Sequence, residues 1–382
     1  MEEQAIASIA RHFAGLQDPR TGNAKQHIFQ EILIMAICAV ICGADGWSDV
    51  ELFAKNKKSW LKTFLKLPKG IPSHDTFGRV FAQIKPEEFQ ERFVEWVRAI
   101  EELTAGQVIA IDGKQLRRSH DHETGKAAIY MVSAWAIQSQ LILGQTKVAD
   151  KSNEITAIPE LLQLVEITGC IVTIDAIGTQ TEIAKTIVEG GGDYLLSVKE
   201  NQGHLFEDIQ YLFDGDVAQG FVCEHSYSKT VNKGHGCVET RECWAVDKEE
   251  YLALVRKHEQ WKGLKSIIRI VSRRQIGKEV EAQTRYFISS LPADAKMILK
   301  TKRSHWKIEN QVHWVLDIAF REDECRVRKD HAAENLAVLR HMALNLLKGR
   351  KQLKAVFTPN VYKLVATMTT SSRFSKVEMR LP

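Results

Sequence analysis

Two aspartates each close a short apolar run: Val108-Ile109-Ala110-Ile111 leads into Asp112 and Gly113, and Cys170-Ile171-Val172-Thr173-Ile174 leads into Asp175. Runs of this kind read as strands buried on both faces, which puts two carboxylates at the C-terminal ends of strands. A carboxylate there is costly unless it is paired or bound to a metal, and ligands favour that edge of an α/β sheet. If the two strands lie side by side and parallel, both acids reach a common divalent ion. Taken singly, each is equally well explained as the cap of the turn or helix that follows. A third acid, Glu309, stands on a predicted helix with Trp306 and His313 at i, i+3 and i+7, all on one face. Packing of that helix through Trp306 would aim Glu309 at the two aspartates. Three oxygen ligands suit Mg²⁺ or Mn²⁺. Two such ions would activate a water or a 3′-hydroxyl and stabilise the leaving oxygen of an in-line phosphodiester displacement.

The elements that must carry these acids are legible in outline. Residues 1–103 read as helical, with three- and four-residue apolar spacing over Ile28 to Cys42, Ser48 to Phe64 and Glu87 to Leu103. Ser73 reads as the cap of a further short helix through Thr76, Phe77, Val80 and Phe81, either the second helix of a helix-turn-helix or part of a packed helical domain. From Thr104 the order is β-β-β-α-β-α-β, ending in Asp193 to Lys199. Four β-like stretches, Phe221 to Val231, Gly236 to Val246, Leu264 to Arg274 and Glu279 to Ser289, then read as two hairpins. Helix resumes after Pro292.

Several motifs together make the chain recognisable. They are Pro72-Ser73-His74-Asp75-Thr76-Phe77, Ile111-Asp112-Gly113-Lys114, Ile174-Asp175-Ala176 with Gln180, Val198-Lys199-Glu200-Asn201-Gln202, His235-Gly236 with Glu239 and Arg241, and His305-Trp306-Lys307-Ile308-Glu309-Asn310. The last runs on as His313-Trp314-Val315-Leu316-Asp317 and Arg321-Glu322-Asp323. Up to about Lys348 the chain resembles the DDE-type insertion-sequence transposases of the H-repeat-associated group, found with Rhs elements. The resemblance implies an α/β protein with an RNase H-like mixed sheet flanked by helices and a β-rich insertion before the glutamate. It also implies Asp112, Asp175 and Glu309 as the catalytic and metal-binding triad, holding two Mg²⁺ or Mn²⁺ ions. The spacings of 63 and 134 residues between these acids agree, the second being long enough for the insertion. Three regions are expected: a helical, DNA-binding 1–103, a catalytic core 104–320 interrupted at about 220–287, and a basic helical 321–382. The implied activity is cleavage and strand transfer at element ends, on double-stranded DNA, by a homodimer. A non-transposing DNA-binding remnant and a structure-specific nuclease of the same fold are the alternatives.

Charge distribution fits a polyanionic partner. The net charge is +4, yet Lys296 to Pro382 holds 18 Lys/Arg against 8 Asp/Glu, which leaves −6 on the first 295 residues. Arg326, Arg328 and Lys329, with Arg340, Lys348, Arg350, Lys351 and Lys354, are expected to form a positive surface around an apolar helical stripe and to hold DNA by counterion release. Lys114, Lys199 and Arg303 are candidate phosphate contacts, or ordinary surface cations. Trp306 is either a base-stacking platform or a buried anchor, and His305 and His313 either position water or pack structurally. His120-Asp121-His122-Glu123 reads as an exposed loop, and Gly190-Gly191-Gly192 as a turn.

Composition sets the outer bounds. With 382 residues, 44% hydrophobic and 26% charged, the chain has material for two or three globular domains and is neither collagen-like nor largely disordered. The longest apolar run, Ile32 to Cys42, is 11 residues against the roughly 18 to 20 of a membrane helix. Without a basic, cleavable leader pattern, and with seven scattered cysteines, a cytoplasmic, nucleoid-associated protein with reduced thiols is expected.

Overall fold

The computed structural model describes residues 9–22, 25–100, 103–120, 127–149, 153–220, 223–234 and 236–348. Nine strands form one mixed sheet: β1 (Val108–Gln115), β2 (Tyr130–Ala136), β3 (Leu141–Lys147), β4 (Ile171–Ile174), β5 (Asp193–Val198), β6 (Ser226–Gly234), β7 (Cys237–Val246), β8 (Ser266–Ile276) and β9 (Glu279–Ser289). Their order is β3-β2-β1-β4-β5-β9-β8-β7-β6. β1, β4 and β5 run parallel, while β2 and β3 return antiparallel. This is the RNase H-like α/β class that the sequence implies.

Two sequence expectations need correction. β1 does not end at Asp112. It pairs with β4 only as far as Ile111, opposite Ile174, but continues against β2 from Asp112↔Ser133 to Gln115↔Tyr130. The apolar run stops where β4 stops covering it, and the ladder to β2 keeps the strand going. The insertion, likewise, is not two separate hairpins. β7 also pairs with β8 over its whole length, and β9 pairs antiparallel with β5 through Leu195↔Ser289 to Val198↔Tyr286, so the meander extends the central sheet.

The helix Ala295–His305 lies across β1, β4, β5, β6 and β7 and leads directly to Glu309. Glu154–Leu164 packs on β2 and β3, and Pro86–Ile100 on β3. In the helical N-terminal region, Ser73 caps His74–Gln83 by accepting the Thr76 amide, and Phe77, Val80 and Phe81 are buried. That helix packs against Trp47–Asn56 and against the last described helix, Ala332–Lys348.

Ala332–Lys348 is not the cation-ringed surface helix that the sequence suggests, since 14 of its 17 residues are buried. Arg340 is buried against Glu322, and Lys348 lies over the Trp135 ring and donates to the Gln311 carbonyl. Arg350, Lys351 and Lys354 lie outside the described residues. One buried side chain ties this helix to the N-terminal region: Asn335 Nδ2 donates to the Phe81 and Ile84 carbonyls at 2.8 and 2.9 Å, satisfying the end of the His74–Gln83 helix. Asn335→Leu orphans both acceptors. It should lower unfolding free energy by about 1–3 kcal/mol for each, read as a shifted midpoint in chemical denaturation.

Candidate active site and metal centre

The Ile111↔Ile174 pairing sets the two aspartates at one level of neighbouring parallel strands. Asp112 stays within β1, half-buried, and accepts the Gly113 amide at 2.9 Å. Asp175 leaves the sheet as the cap of the turn Ala176–Gly178 and accepts the Ala176 amide at 2.6 Å. The capping alternative therefore holds for this residue, which still stands at the sheet edge beside Asp112. At Gly113 no larger residue fits without displacement, because a Cβ would stand 2.5 Å from Glu154 Oε1 and 2.6 Å from Tyr130 Cε1.

Glu309 arrives on different geometry from the expected α-helical face. The helix breaks at Trp306, and Glu309–His313 forms a π-helical turn that runs into Trp314–Ile318. Such turns widen the helix and recur at functional sites. Trp306 is 52% exposed, and Ile308, Val312 and His313 are the residues turned inward. The buried-anchor alternative for Trp306 is thus set aside.

Asp112, Asp175 and Glu309 all line one cavity of about 510 Å³, with Thr173, Ser197, Lys199, Arg285, Lys302, His305 and Trp306. Atoms of Asp112, Glu309 and His313 come within 4.8 Å of one another. His313 Nδ1 is 3.0 Å from Glu309 Oε2 and 3.6 Å from Asp112 Oδ2. Asp175 stands apart from that group, and Lys199 Nζ approaches it at 3.3 Å. Burial pushes the Asp112 carboxyl up to about 6, although the adjacent His313 works against the rise. Burial also acts on Asp175, but the Ala176 amide and Lys199 more than offset it and hold its carboxyl below the usual value. His305 is pushed down to about 4 by burial and shares a 2.9 Å hydrogen bond with Thr173 Oγ1, fastening its helix to β4.

These residues fit a hard divalent cation. The donors are two carboxylates and an imidazole nitrogen, and the burial that raises Asp112 marks a position short of positive charge.

The other predicted contacts divide. Lys199 and Trp306 line the cavity, and exposed Arg303 reaches Asn232 Oδ1 at 3.2 Å. Lys114 does not face the cavity. It sits, 12% exposed, between Asp317 at 2.6 Å, Glu322 at 2.9 Å and Asp323 at 3.4 Å, so its charge is already answered. Arg326 and Lys329 are exposed, and Arg328 donates to the Arg118 carbonyl. Of His120-Asp121-His122-Glu123, only His120 is among the described residues.

Sequence reasoning missed a basic groove beside the cavity. It has a volume of about 410 Å³, shares Arg285, Lys302 and Trp306 with the first, and adds Arg241, Arg273, Arg274 and Arg303. Arg285 lies over the Trp306 ring, 5.8 Å from its centroid. Burial, with Arg285 and Arg241 nearby, pulls Lys302 down to about 8. The arginines scattered over the meander, Arg241, Arg269, Arg273, Arg274 and Arg285, are the available signal, but the pairing of β9 with β5 is what brings them to the acids.

Comparison with known proteins adds the following. Residues 104–346 match the family described as Transposase DDE domain, and residues 10–97 the family described as DDE_Tnp_1-associated. A protein of Escherichia coli strain K12, named H repeat-associated putative transposase YhhI, is 39% identical over 354 residues, which is 92% of this chain and 93% of that one. A protein named Putative transposase YncI, from Escherichia coli O157:H7, is 38% identical over 353 residues, 92% of this chain and 90% of its own. A solved piggyBac transposase synaptic complex with hairpin DNA aligns over 100% of this chain and 82% of that one, with a TM-score of 0.37 and 11% identity.

Proposed function

For a chain that belongs to the H repeat-associated family of DDE transposases, we propose that Asp112, Asp175 and Glu309 carry metal-dependent cleavage and strand transfer at the ends of an insertion sequence. The observation that carries this reading is the convergence of the three acids on one cavity from β1, from the end of β4 and from the π-turn. When bound there, divalent ions supply Lewis-acid activation of the attacking oxygen and stabilisation of the leaving one.

The chain's own residues do the positioning. Asp112 and Glu309 hold the cation side of the site, and Asp175, kept ionised by Lys199 and the Ala176 amide, faces them from the neighbouring strand end. Neutral His305, fixed to Thr173, adds no competing positive charge. Lys199, Arg303 and the groove arginines meet phosphates, and exposed Trp306 offers a face for a base at the mouth of the cavity. Exposed Arg326 and Lys329 extend the binding surface to flanking duplex. We assign end recognition to the helical region up to residue 103 and chemistry to 104–320, with two copies of the chain acting on paired ends.

The test uses the full chain, labelled duplex carrying the sequences on either side of its gene, with any inverted repeats they hold, and Mg²⁺ or Mn²⁺. Nicking at the repeat ends, followed by joining of the 3′ ends to a second duplex, is the expected result. Binding without any cleavage would leave the DNA-binding remnant, and cleavage indifferent to the repeats would leave the nuclease. A second result follows from the groove. Neutralising Arg273, Arg274 and Arg303 to glutamine should weaken binding and flatten the plot of log affinity against log salt by about 0.9 for each phosphate that is no longer neutralised.

A further inference from the structure

The resemblance supplies three acids, but a buried histidine, His313, also stands 3.0 Å from Glu309 Oε2. We propose that His313 Nδ1 is a protein ligand of the ion held by Asp112 and Glu309, and that this nitrogen makes the position prefer Mn²⁺ over Mg²⁺. The inference rests on the reading of the acids given above and names the kind of cation they take.

Three observations carry it. The first is spacing. An octahedral ion with bonds of about 2.1 Å sets neighbouring donors about 3 Å apart and opposite donors about 4.2 Å apart. His313 Nδ1 is 3.0 Å from Glu309 Oε2 and 3.6 Å from Asp112 Oδ2, and all three donor atoms fall within 4.8 Å of one another. The second is direction. The ring is 5% exposed, and its Nε2 has no hydrogen-bond partner among the described residues, so its polar contacts are all on the Nδ1 side, with the two carboxylates. One ring nitrogen cannot donate its single proton fully to both oxygens, whereas a cation draws in all three lone pairs together. The third is backbone. Glu309 and His313 are the first and last residues of the π-turn, whose wider loop carries both toward β1. Mn²⁺ is itself largely an oxygen-binding ion, but as a transition ion it accepts an imidazole nitrogen more readily than Mg²⁺, which holds to oxygen and water. Asp175 lies outside this donor group beside Lys199, so His313 and not Asp175 makes the third protein contact.

The test is pulsed electron paramagnetic resonance of Mn²⁺ bound to the full-length protein without DNA. We expect a ¹⁴N coupling of directly bound imidazole, kept in His305→Gln and lost in His313→Gln. Titration should show Mn²⁺ affinity falling about tenfold or more in His313→Gln, with Mg²⁺ affinity changing by less than about threefold. Bound Mn²⁺ without the nitrogen coupling overturns the proposal, as does a coupling that survives His313→Gln, or no Mn²⁺ binding at all. A wild-type spectrum without the coupling overturns the proposal even if a variant fails to fold, and the His305→Gln spectrum shows whether the other nearby imidazole is the source. Failure of the broader reading looks different: nitrogen-coupled Mn²⁺ with no cleavage of element ends leaves this ligand standing, and cleavage with nitrogen-free Mn²⁺ leaves the triad standing.

Discussion

Asp112→Asn should abolish end cleavage, by about 10³-fold or more, while the protein melts no lower than the wild type. The two halves of this expectation have one cause. Burial pushes the Asp112 carboxyl up to about 6, so near pH 7 and without divalent ions the folded state carries a charge that it disfavours. A group whose folded pKa lies above its unfolded value of 3.8 destabilises the fold at neutral pH, and that cost is relieved as pH falls from about 6 toward 4. Asparagine keeps the shape and carries no charge at any pH, so the variant is free of that cost where the wild type bears it. Asp175→Asn should lose cleavage to the same extent with no such gain, because its carboxyl is held below the usual range and its charge is favoured. Melting curves at pH 7 and pH 5 without metal separate the two: the advantage of Asp112→Asn over wild type should shrink at pH 5. An equal loss of stability in both variants would show that burial is not what sets Asp112 apart. Glu309→Gln should be as inactive as either. Cleavage retained in any of the three would remove that residue from the triad.

How much of this was written in the sequence depends on the range over which each residue is determined. Ile111 and Ile174 end apolar runs, and burial of a run is a local property, so the two strands and their acids were visible. Glu309 was visible as a helical acid, but the π-turn was not, because three- and four-residue spacing assumes an α-helical repeat. The same spacing offers Trp306 as a buried anchor, a place that belongs to Ile308 and Val312. The groove arginines carry no local mark. Arg285 reaches the cavity only because β9 pairs with β5, a contact between segments about 90 residues apart in the chain. Arg340 shows the opposite failure. Its charge suggested a surface, yet it is buried against Glu322, which no composition argument could place.

Lys114→Met should be the most destabilising single change near the site, by about 3–5 kcal/mol in chemical denaturation, because it strands buried carboxylates without their cation. Glu322 is 3% exposed, and with Lys114 gone Arg340, at 3.7 Å, is the ion-pair partner that remains among the described residues. Burial by itself would lower the Lys114 pKa, but Glu322 and Asp317 reverse that and hold it above the usual lysine value. The pair Lys114→Met with Glu322→Gln should cost less than the two single changes added together, since each removes the charge that the other leaves exposed. Activity should fall along with stability, for a geometric reason. Asp112 and Lys114 are two residues apart in β1 and point to the same face. The lysine grips Asp317 and Glu322, which follow Glu309 on the same run of chain, so it clamps the glutamate-bearing segment onto the strand that bears the first aspartate. Loosening that clamp lets Glu309 drift from Asp112, and catalytic groups displaced by about 1 Å lose about 10²-fold. Lys114→Arg, which keeps the charge in a longer fork, should restore more stability than activity. Equal recovery of both would mean that the lysine acts on the fold alone.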